Sequence, residues 1–162
     1  QTMKRRSLLG MFCFAGLLPA QKYNGPRPPK PDVPYLLHAS NLVETETATA
    51  TEEKRKDDTA YVVNGATSPA RTPLPEPIFL FESKSTSPDK LQLYRLNAKN
   101  GKREVVFPPP NKRRKDAPVP IHLSVKRVAD ALYRVEANEL LDNGEYALTP
   151  EGSNTVFLFQ VY

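Results

Sequence analysis

The sequence predicts an all-β fold, in which short antiparallel strands form a sandwich of two sheets. Three observations support this prediction. From residue 59 onward, apolar or alternating runs recur roughly every 8 to 14 residues, and prolines, glycines and an Asn-Gly pair separate them. No segment after residue 20 keeps the 3.6-residue apolar period of a helix. The 162 residues include 39% hydrophobic side chains, which is enough for one folded domain with a tail.

The N-terminal segment has the pattern of a secretory signal peptide. Met3 is followed by three basic residues, by an apolar run of about a dozen residues and by Pro19 and Ala20. The run is shorter than the roughly 20 residues that span a bilayer, and a proline-rich stretch follows it, which disfavours a membrane anchor or a buried helix. We therefore expect residues 1–20 to be a signal peptide cleaved after Ala20. The mature protein is then secreted or periplasmic, without stable membrane insertion.

Removal of residues 1–20 changes the charge and the cysteine content. The segment contains three of the 23 basic residues and no acidic residue, so the mature chain keeps 20 basic against 18 acidic residues. Its net charge is then +2. Cys13, the only cysteine, is removed with the segment. The mature chain therefore has no disulfide and no thiolate metal ligand, which is compatible with an oxidising compartment.

Residues 21–34 are predicted to form a proline-rich linker or arm ahead of a sandwich domain over 35–162. Five of the nine residues from Pro26 to Pro34 are proline, a composition that favours the extended polyproline II conformation. The arm is interpreted as a spacer. The alternative is a ligand for an aromatic groove on a partner protein.

The first part of the domain contains an alternating segment and a run of charges. Threonine alternates with Glu or Ala over residues 45–51, which predicts an exposed strand. An exposed edge at residues 43–53 could accept a strand from a partner or swap between subunits. Seven charged residues follow at 52–58 and are interpreted as a solvated strand end or loop.

The rest of the domain is predicted to contain a regular series of strands. They are expected over residues 59–63, 78–81, 91–99, 102–107, 119–127, 132–137, 144–149 and 155–162. Asn100-Gly101 lies between two of these runs and predicts a type I′ hairpin turn, whose two central residues both need a positive φ. Proline-rich loops are expected over 68–77 and 108–118.

One motif near the C terminus specifies the type of sandwich. Leu141, Gly144, Tyr146 and Leu148 have the spacing of a tyrosine corner, in which a tyrosine hydroxyl bonds to the backbone just upstream of its strand. The final strand would then be the terminal strand of an immunoglobulin-like antiparallel sandwich of about seven to nine strands. The alternative is an ordinary turn before an ordinary strand. The cysteine pair and buried tryptophan of antibody domains are absent from the sequence, so the relation would be distant.

Several stretches resemble a group of short secreted bacterial proteins of unknown function. They are PDVPYLLHASNLVETE, EEKRKDDTAYVVNGATSPARTPLPEPIFLFES, LDNGEYALTPEG and VFLFQVY, and together they cover most of residues 31–162. The resemblance implies a secreted or envelope β-domain of bacterial type. It assigns a role to no residue.

The sequence contains little that could support catalysis or hold a cofactor. There is no H-E-x-x-H, no phosphate-binding glycine loop and no G-x-S-x-G. His38 and His122 lie far apart in the sequence and no cysteine remains to complete a zinc site. A hydrolase that uses two carboxylates is a third possibility, but most acidic residues lie in charged stretches and the chain has no tryptophan to bind a sugar. We expect no enzyme activity, no cofactor and no metal.

The most concentrated charge is the basic run Lys112, Arg113, Arg114 and Lys115. Such a run can bind anionic polysaccharide or lipid head groups, and it can also be a simple solvated loop. Nucleic acid is not expected, because the protein is predicted to be exported and lacks the aromatic pattern of an RNA-binding module.

These observations predict an exported, non-catalytic binding or structural module of the bacterial cell envelope or exterior. Its partner would be a protein or another envelope component. The alternative is a binder of anionic polysaccharide or lipid head groups through residues 112–115. No sequence feature selects an oligomeric state.

Overall fold

The computed structural model describes residues 22–162. The predicted signal peptide and its cleavage site lie outside the described residues. Apart from one 3-10 turn at Pro88–Lys90, all regular structure in residues 22–162 is β. The prediction of an all-β fold is confirmed.

Thirteen strands occur in the described part of the chain. The first six are β1 (Tyr35–His38), β2 (Asn41–Glu44), β3 (Glu46–Thr49), β4 (Thr51–Arg55), β5 (Asp58–Asn64) and β6 (Arg71–Thr72). The other seven are β7 (Ile78–Glu82), β8 (Leu91–Lys99), β9 (Lys102–Phe107), β10 (Leu123–Ala129), β11 (Leu132–Ala137), β12 (Gly144–Pro150) and β13 (Thr155–Val161). This exceeds the expected seven to nine, because the alternating segment is divided at Thr45 and Ala50 into three short strands and β6 has only two residues.

The strands form two sheets. The first sheet has the order β10-β11-β7-β1-β2 and is antiparallel throughout. The second sheet has eight strands in the order β3-β13-β12-β8-β9-β5-β4, and β6 pairs in parallel with β13 beside this path. The predicted edge segment 43–53 therefore has partners within the domain, since β3 pairs with β13 and β4 with β5.

The main core lies between the first sheet and strands β8, β12 and β13 of the second sheet. Phe79 from the first sheet packs edge-to-face on Phe159 from the second, with ring centroids 5.0 Å apart. Tyr146 stacks on the same Phe159 at 5.6 Å. All three side chains are at most 1% exposed. The two sheets therefore pack as a sandwich through this core.

The opposite face of β8, β12 and β13 covers a second, smaller apolar core. Along β12, Tyr146 and Leu148 belong to the main core, and the alternate residue Ala147 belongs to the second core. The members of the second core are Ala50, Val63, Leu96, Ala147, Val156 and Leu158. Burial on both faces explains why β13 contains a continuous apolar run instead of an alternating one.

The second sheet closes on itself through Ala50. Strands β3 and β4 lie at opposite ends of the strand order, yet only Ala50 separates them in the chain. One continuous segment thus pairs first with β13 and then with β5, and the Ala50 amide donates to the carbonyl of Asn154 at 2.8 Å. We call the resulting closed arrangement of β3, β4, β5, β9, β8, β12 and β13 the cup.

Local turn chemistry explains the hairpin between β8 and β9. Asn100 and Gly101 have φ values of 52° and 72°, and Lys99 faces Lys102 across the turn. Asparagine and glycine tolerate this left-handed backbone better than other residues, so the Asn-Gly pair fixes the register of the hairpin.

Two regions differ in detail from the sequence-based expectation. The strand expected over 119–127 begins only at Leu123, since Pro118 and Pro120 have no amide hydrogen to donate; Ile121 keeps a single bridge to Leu93. The end of the proline-rich arm is packed on the domain. Its Asp32 carboxylate accepts backbone hydrogen bonds of 2.9 to 3.0 Å from residues 84–86.

Candidate functional site

A cavity of about 620 Å³ occupies the interior of the cup. Its walls are the inward-facing, alternate residues of six strands. They include Glu52 and Lys54 of β4, Thr59, Tyr61 and Val63 of β5, Gln92, Tyr94 and Leu96 of β8, Arg103, Val105 and Phe107 of β9, Ala147 and Thr149 of β12, and Val156 and Leu158 of β13.

The strand registers divide the cavity into a floor and a mouth. Val63 pairs with Arg103 at one end of the β5–β9 ladder, and Thr59 pairs with Phe107 at the other. The floor is the Arg103 end, and the mouth is the Phe107 end. The mouth is bordered by the β4–β5 turn, by the prolines 108–110 after β9, and by the β12–β13 turn at 151–154.

A buried arginine forms part of the floor. The Arg103 side chain is 1% exposed and pairs with Glu46, with Nη1 to Oε2 at 2.9 Å and Nη2 to Oε1 at 3.2 Å. Its Nε donates to the carbonyl of Gly65 at 2.8 Å, and its Nη2 also donates to that of Asn64 at 2.9 Å. Four acceptors from the protein therefore use most of the guanidinium donors, and the charge is matched locally.

Glu145 lies beside this pair at the bottom of the cup. It is 5% exposed, and its Oε1 lies 3.7 Å from Arg103 Nη1. The Ser68 amide donates to the same Oε1 at 2.6 Å, while Oε2 is buried with no hydrogen-bond partner in the described structure. Burial raises the pKa of Glu145 above its usual range, and the Ser68 hydrogen bond and the Arg103 charge only partly offset this effect.

Three aromatic rings line the wall between its middle and the mouth. Phe107 lies between Tyr61 and Tyr94, and meets both edge-on at centroid distances of 5.8 and 5.4 Å. Burial raises the pKa of Tyr94, and the charge of Glu151 adds to this effect. Edge-to-face contacts hold the rings against one another, so this part of the wall is preformed.

The mouth contains two charged side chains that make no ion pair within residues 22–162. Lys54 Nζ donates only to the hydroxyl of Thr59, at 2.9 Å. Glu52 lies two residues away on the same inward face of β4 and is also exposed. Both groups are thus available to a ligand at the entrance.

The predicted polyanion-binding run begins beside this mouth. In the loop 108–118, which we call the basic loop, Lys112 pairs with Asp57 at 3.3 Å and Arg114 pairs with Asp58 at 2.7 Å. Arg113 and Lys115 are exposed and have no ion-pair partner in the described chain. Two of the four cations are therefore matched by the acidic end of the charged run 52–58. Opposite charge in these two runs was the only sequence signal for this contact.

The predicted tyrosine-corner residues lie on the other side of the second sheet. The Tyr146 hydroxyl donates to the carbonyl of Asp142 at 2.7 Å, which is the hydrogen bond that such a corner requires. Leu141 is buried in the main core, and a Cβ on Gly144 would lie 3.0 Å from Nη2 of Arg95. These residues face away from the cavity, and their contacts stabilise the start of β12.

The two histidines do not meet in the fold. His38 is exposed at the end of β1, and His122 is exposed before β10, beside a separate depression of about 330 Å³. Residues 22–162 contain no group of three or more His, Cys, Asp or Glu side chains placed to hold a metal ion. Over the same range, no helix has the length and apolar character needed to cross a membrane.

Comparisons with known proteins identify no relative. Neither the models of known protein families nor the curated protein sequences nor the solved structures give a match to this chain.

The sequence indicated the strands that build the cup but not the cavity inside it. The sequence predicted strands at the positions of β5, β8 and β9, whereas the pairing that brings their inward residues to face one another is long-range. The alternating strand pattern continues on both sides of Ala50. This was the one local indication that a single segment joins the two edges of the second sheet.

Proposed function

We propose that the protein is an exported, non-catalytic binding module of the cell envelope or exterior, and that the cavity of the cup is its binding site. The observation that carries this proposal is the size and shape of the cavity. Ligand sites typically enclose about 300 to 1,000 Å³ and combine an apolar lining with a few polar groups. At about 620 Å³, with aromatic rings on its wall and polar groups at one end, the cavity fits that description.

The placement of the carboxylates supports binding over hydrolysis. The acidic residues that line the cavity are Glu52 and Asp57, and both are exposed at the mouth. A general acid needs an apolar environment that keeps its proton at neutral pH, and neither residue has one. At the floor, the charges of Arg103 and Glu46 are directed at each other, and Glu145, whose pKa is raised by burial, is not among the residues that line the cavity.

Export and the immunoglobulin-like type of the sandwich are parts of the same proposal. Export is supported by the signal-peptide pattern of residues 3–20. The immunoglobulin-like type is supported by the hydrogen bond from Tyr146 to Asp142 and by the pairing of β12 with β13 as the last two strands.

A second candidate function is binding of anionic polysaccharide through the basic loop. The exposure of Arg113 and Lys115 without ion-pair partners in residues 22–162 favours it. The pairing of Lys112 and Arg114 with Asp57 and Asp58 reduces the charge that the loop can offer. This candidate therefore ranks below the cavity.

A fragment screen read by amide NMR tests the proposal. Compounds that bind should shift the amide signals of β5, β8, β9 and β12 around the cavity. Val105→Trp places an indole in the cavity and should abolish these shifts. Val106→Trp is the matched control, because Val106 is the next residue of β9 and faces outward.

Two results would overturn the proposal. One is a screen in which no compound shifts these strands. The other is binding that survives Val105→Trp. The second candidate would be favoured if the protein binds dextran sulfate, a model anionic polysaccharide, and if this binding weakens as salt rises and is lost when residues 112–115 are replaced by alanine.

A further inference from the structure

We propose that the ligand of the cavity is a single-chain amphiphile with an anionic head, whose apolar chain enters first and whose head stays at the mouth. This inference rests on the proposed function, because it names the ligand class of the same site. It is carried by the gradient of polarity along the cavity and by the distribution of charge around its entrance.

The inner part of the cavity is apolar and buried. The apolar lining residues that belong to the second core are at most 9% exposed, and they include Val63, Leu96, Ala147, Val156 and Leu158. The polar and charged lining residues Glu52, Lys54, Gln92, Thr149, Ser153 and Asn154 lie towards the mouth. A ligand with polar groups along its whole length would leave some of them unpaired at the inner end, which is costly.

The arginine at the floor does not attract a polar group. Its donors are directed at Glu46 and at the carbonyls of Asn64 and Gly65, at 2.8 to 3.2 Å. These contacts use four of the five guanidinium hydrogens, and Arg103 is only 1% exposed. The inner end therefore offers a ligand almost no free donor, and the apolar side chains of the second core favour hydrocarbon there.

The entrance carries an excess of positive charge. The charged run 52–58, the basic loop and the β12–β13 turn at 151–154 together contain seven basic and six acidic residues, an excess of one. Such a field attracts an anionic head group and disfavours a cationic one.

Two side chains on β4 act on the head in opposite directions. Within residues 22–162, Lys54 Nζ has only the Thr59 hydroxyl as a partner, and it can bind an anion at the entrance. Glu52 lies on the same inward face and repels an anion. The pair therefore supplies matched variants whose expected effects have opposite signs.

Isothermal titration of the protein with three compounds that share a ten-carbon chain separates the contribution of the chain from that of the head group. The compounds are decanoate, decan-1-ol and decyltrimethylammonium; the two ions are used below their micelle concentrations and decan-1-ol below its solubility limit. We expect affinity to decrease in that order. Within the series octanoate, decanoate and dodecanoate, each buried methylene should lower the Kd about fourfold.

The variants locate the head group. Lys54→Gln should raise the Kd of decanoate about two- to fivefold, and Glu52→Gln should lower it by a similar factor, as expected for an exposed ion pair. Neither variant should change the Kd of decan-1-ol. Val105→Trp should remove binding of all the compounds.

The outcomes distinguish this inference from the proposed function. If decanoate and decan-1-ol bind with equal Kd and Lys54→Gln changes neither Kd, the prediction of an anionic head group is wrong, whereas that of an apolar chain is supported. If none of the three compounds binds while unrelated fragments still shift the amide signals of the cavity strands, the ligand is not an amphiphile, but the cavity is still the binding site. If nothing binds in the cavity, both proposals are wrong.

Discussion

Arg103 on β9 and Glu46 on β3 form a two-contact ion pair across the floor of the cup, although 57 residues separate them in the chain. The two strands are not neighbours in the second sheet. The pair therefore joins opposite walls of the cup below the cavity. Arg103 also binds the end of β5, because it donates to the carbonyls of Asn64 and Gly65.

Removal of the arginine head should destabilise the fold strongly. Arg103→Met leaves the Glu46 carboxylate and two carbonyls without their donor, and breaking a buried pair typically costs about 3 to 5 kcal/mol. Urea unfolding measures the loss. Arg55→Met is the control, because Arg55 is 42% exposed and solvent screens its ion pairs with Glu53 and Glu104, so a much smaller loss is expected. Equal losses in the two variants would contradict the structural role of Arg103.

Glu145 should make stability decrease with pH above about 4.5. Burial raises its pKa above the ordinary value of 4.5, so between these two pKa values the folded state holds a proton that the unfolded state has released. The free energy of unfolding then falls as pH rises through this window. Glu145→Gln removes the titrating group and with it this pH dependence. Urea unfolding from pH 4.5 to 7.5 should show that the wild type loses stability relative to the variant. A difference in unfolding free energy that does not change with pH would show that the pKa of Glu145 is not raised in the folded state.

Asp32 should contribute stability that is lost in acid. Burial alone would raise its pKa, but the backbone amides of Lys84, Ser85 and Thr86 outweigh burial and lower the pKa below 3.8. The contribution is therefore complete above the unfolded pKa and disappears as pH falls through the lower, folded pKa. Asp32→Ala should cost about 1 to 3 kcal/mol at pH 7. The unfolding curves of Asp32→Ala and wild type should converge at a pH below the folded-state pKa of Asp32. A stability difference that does not change with pH would contradict this role of Asp32.

The hydroxyl of Tyr146 should stabilise the start of β12. Tyr146→Phe keeps the stacked ring but removes the hydrogen bond to Asp142, which should cost about 0.5 to 1.5 kcal/mol. Amide hydrogen exchange should show the loss first at the N-terminal end of β12. Tyr133→Phe is a control, because the Tyr133 hydroxyl makes no hydrogen bond to the described protein. A Tyr146→Phe protein as stable as wild type would show that the corner is not a stabilising contact.

Those parts of the fold that depend on nearby residues could be predicted from the sequence. The β8–β9 hairpin follows from Asn100-Gly101, and the hydroxyl of Tyr146 bonds only four residues upstream. The alternation of threonine with Glu or Ala over 45–51 likewise predicted strand structure there. In each case the residues that decide the structure lie within one short window of the chain.

The cup could not be predicted, because its closure depends on pairs that are distant in the chain. Thr49 pairs with Thr155, and the partner of Arg103 lies 57 residues away. The contact between the basic loop and the β4–β5 turn spans 55 residues from Lys112 to Asp57. A local pattern indicates that such residues are charged or apolar, but not which residue each one meets.

The three segments that border the mouth are all connections between strands, whereas the walls and the floor belong to the hydrogen-bonded sheet. Connections tolerate insertions and deletions that sheet strands do not. Within the β12–β13 turn, Gly152 has a φ of 76° and should stay glycine, although the space around it is open to at least 4 Å. The entrance can therefore diverge in evolution, or be redesigned in the laboratory, while the scaffold beneath it stays constant.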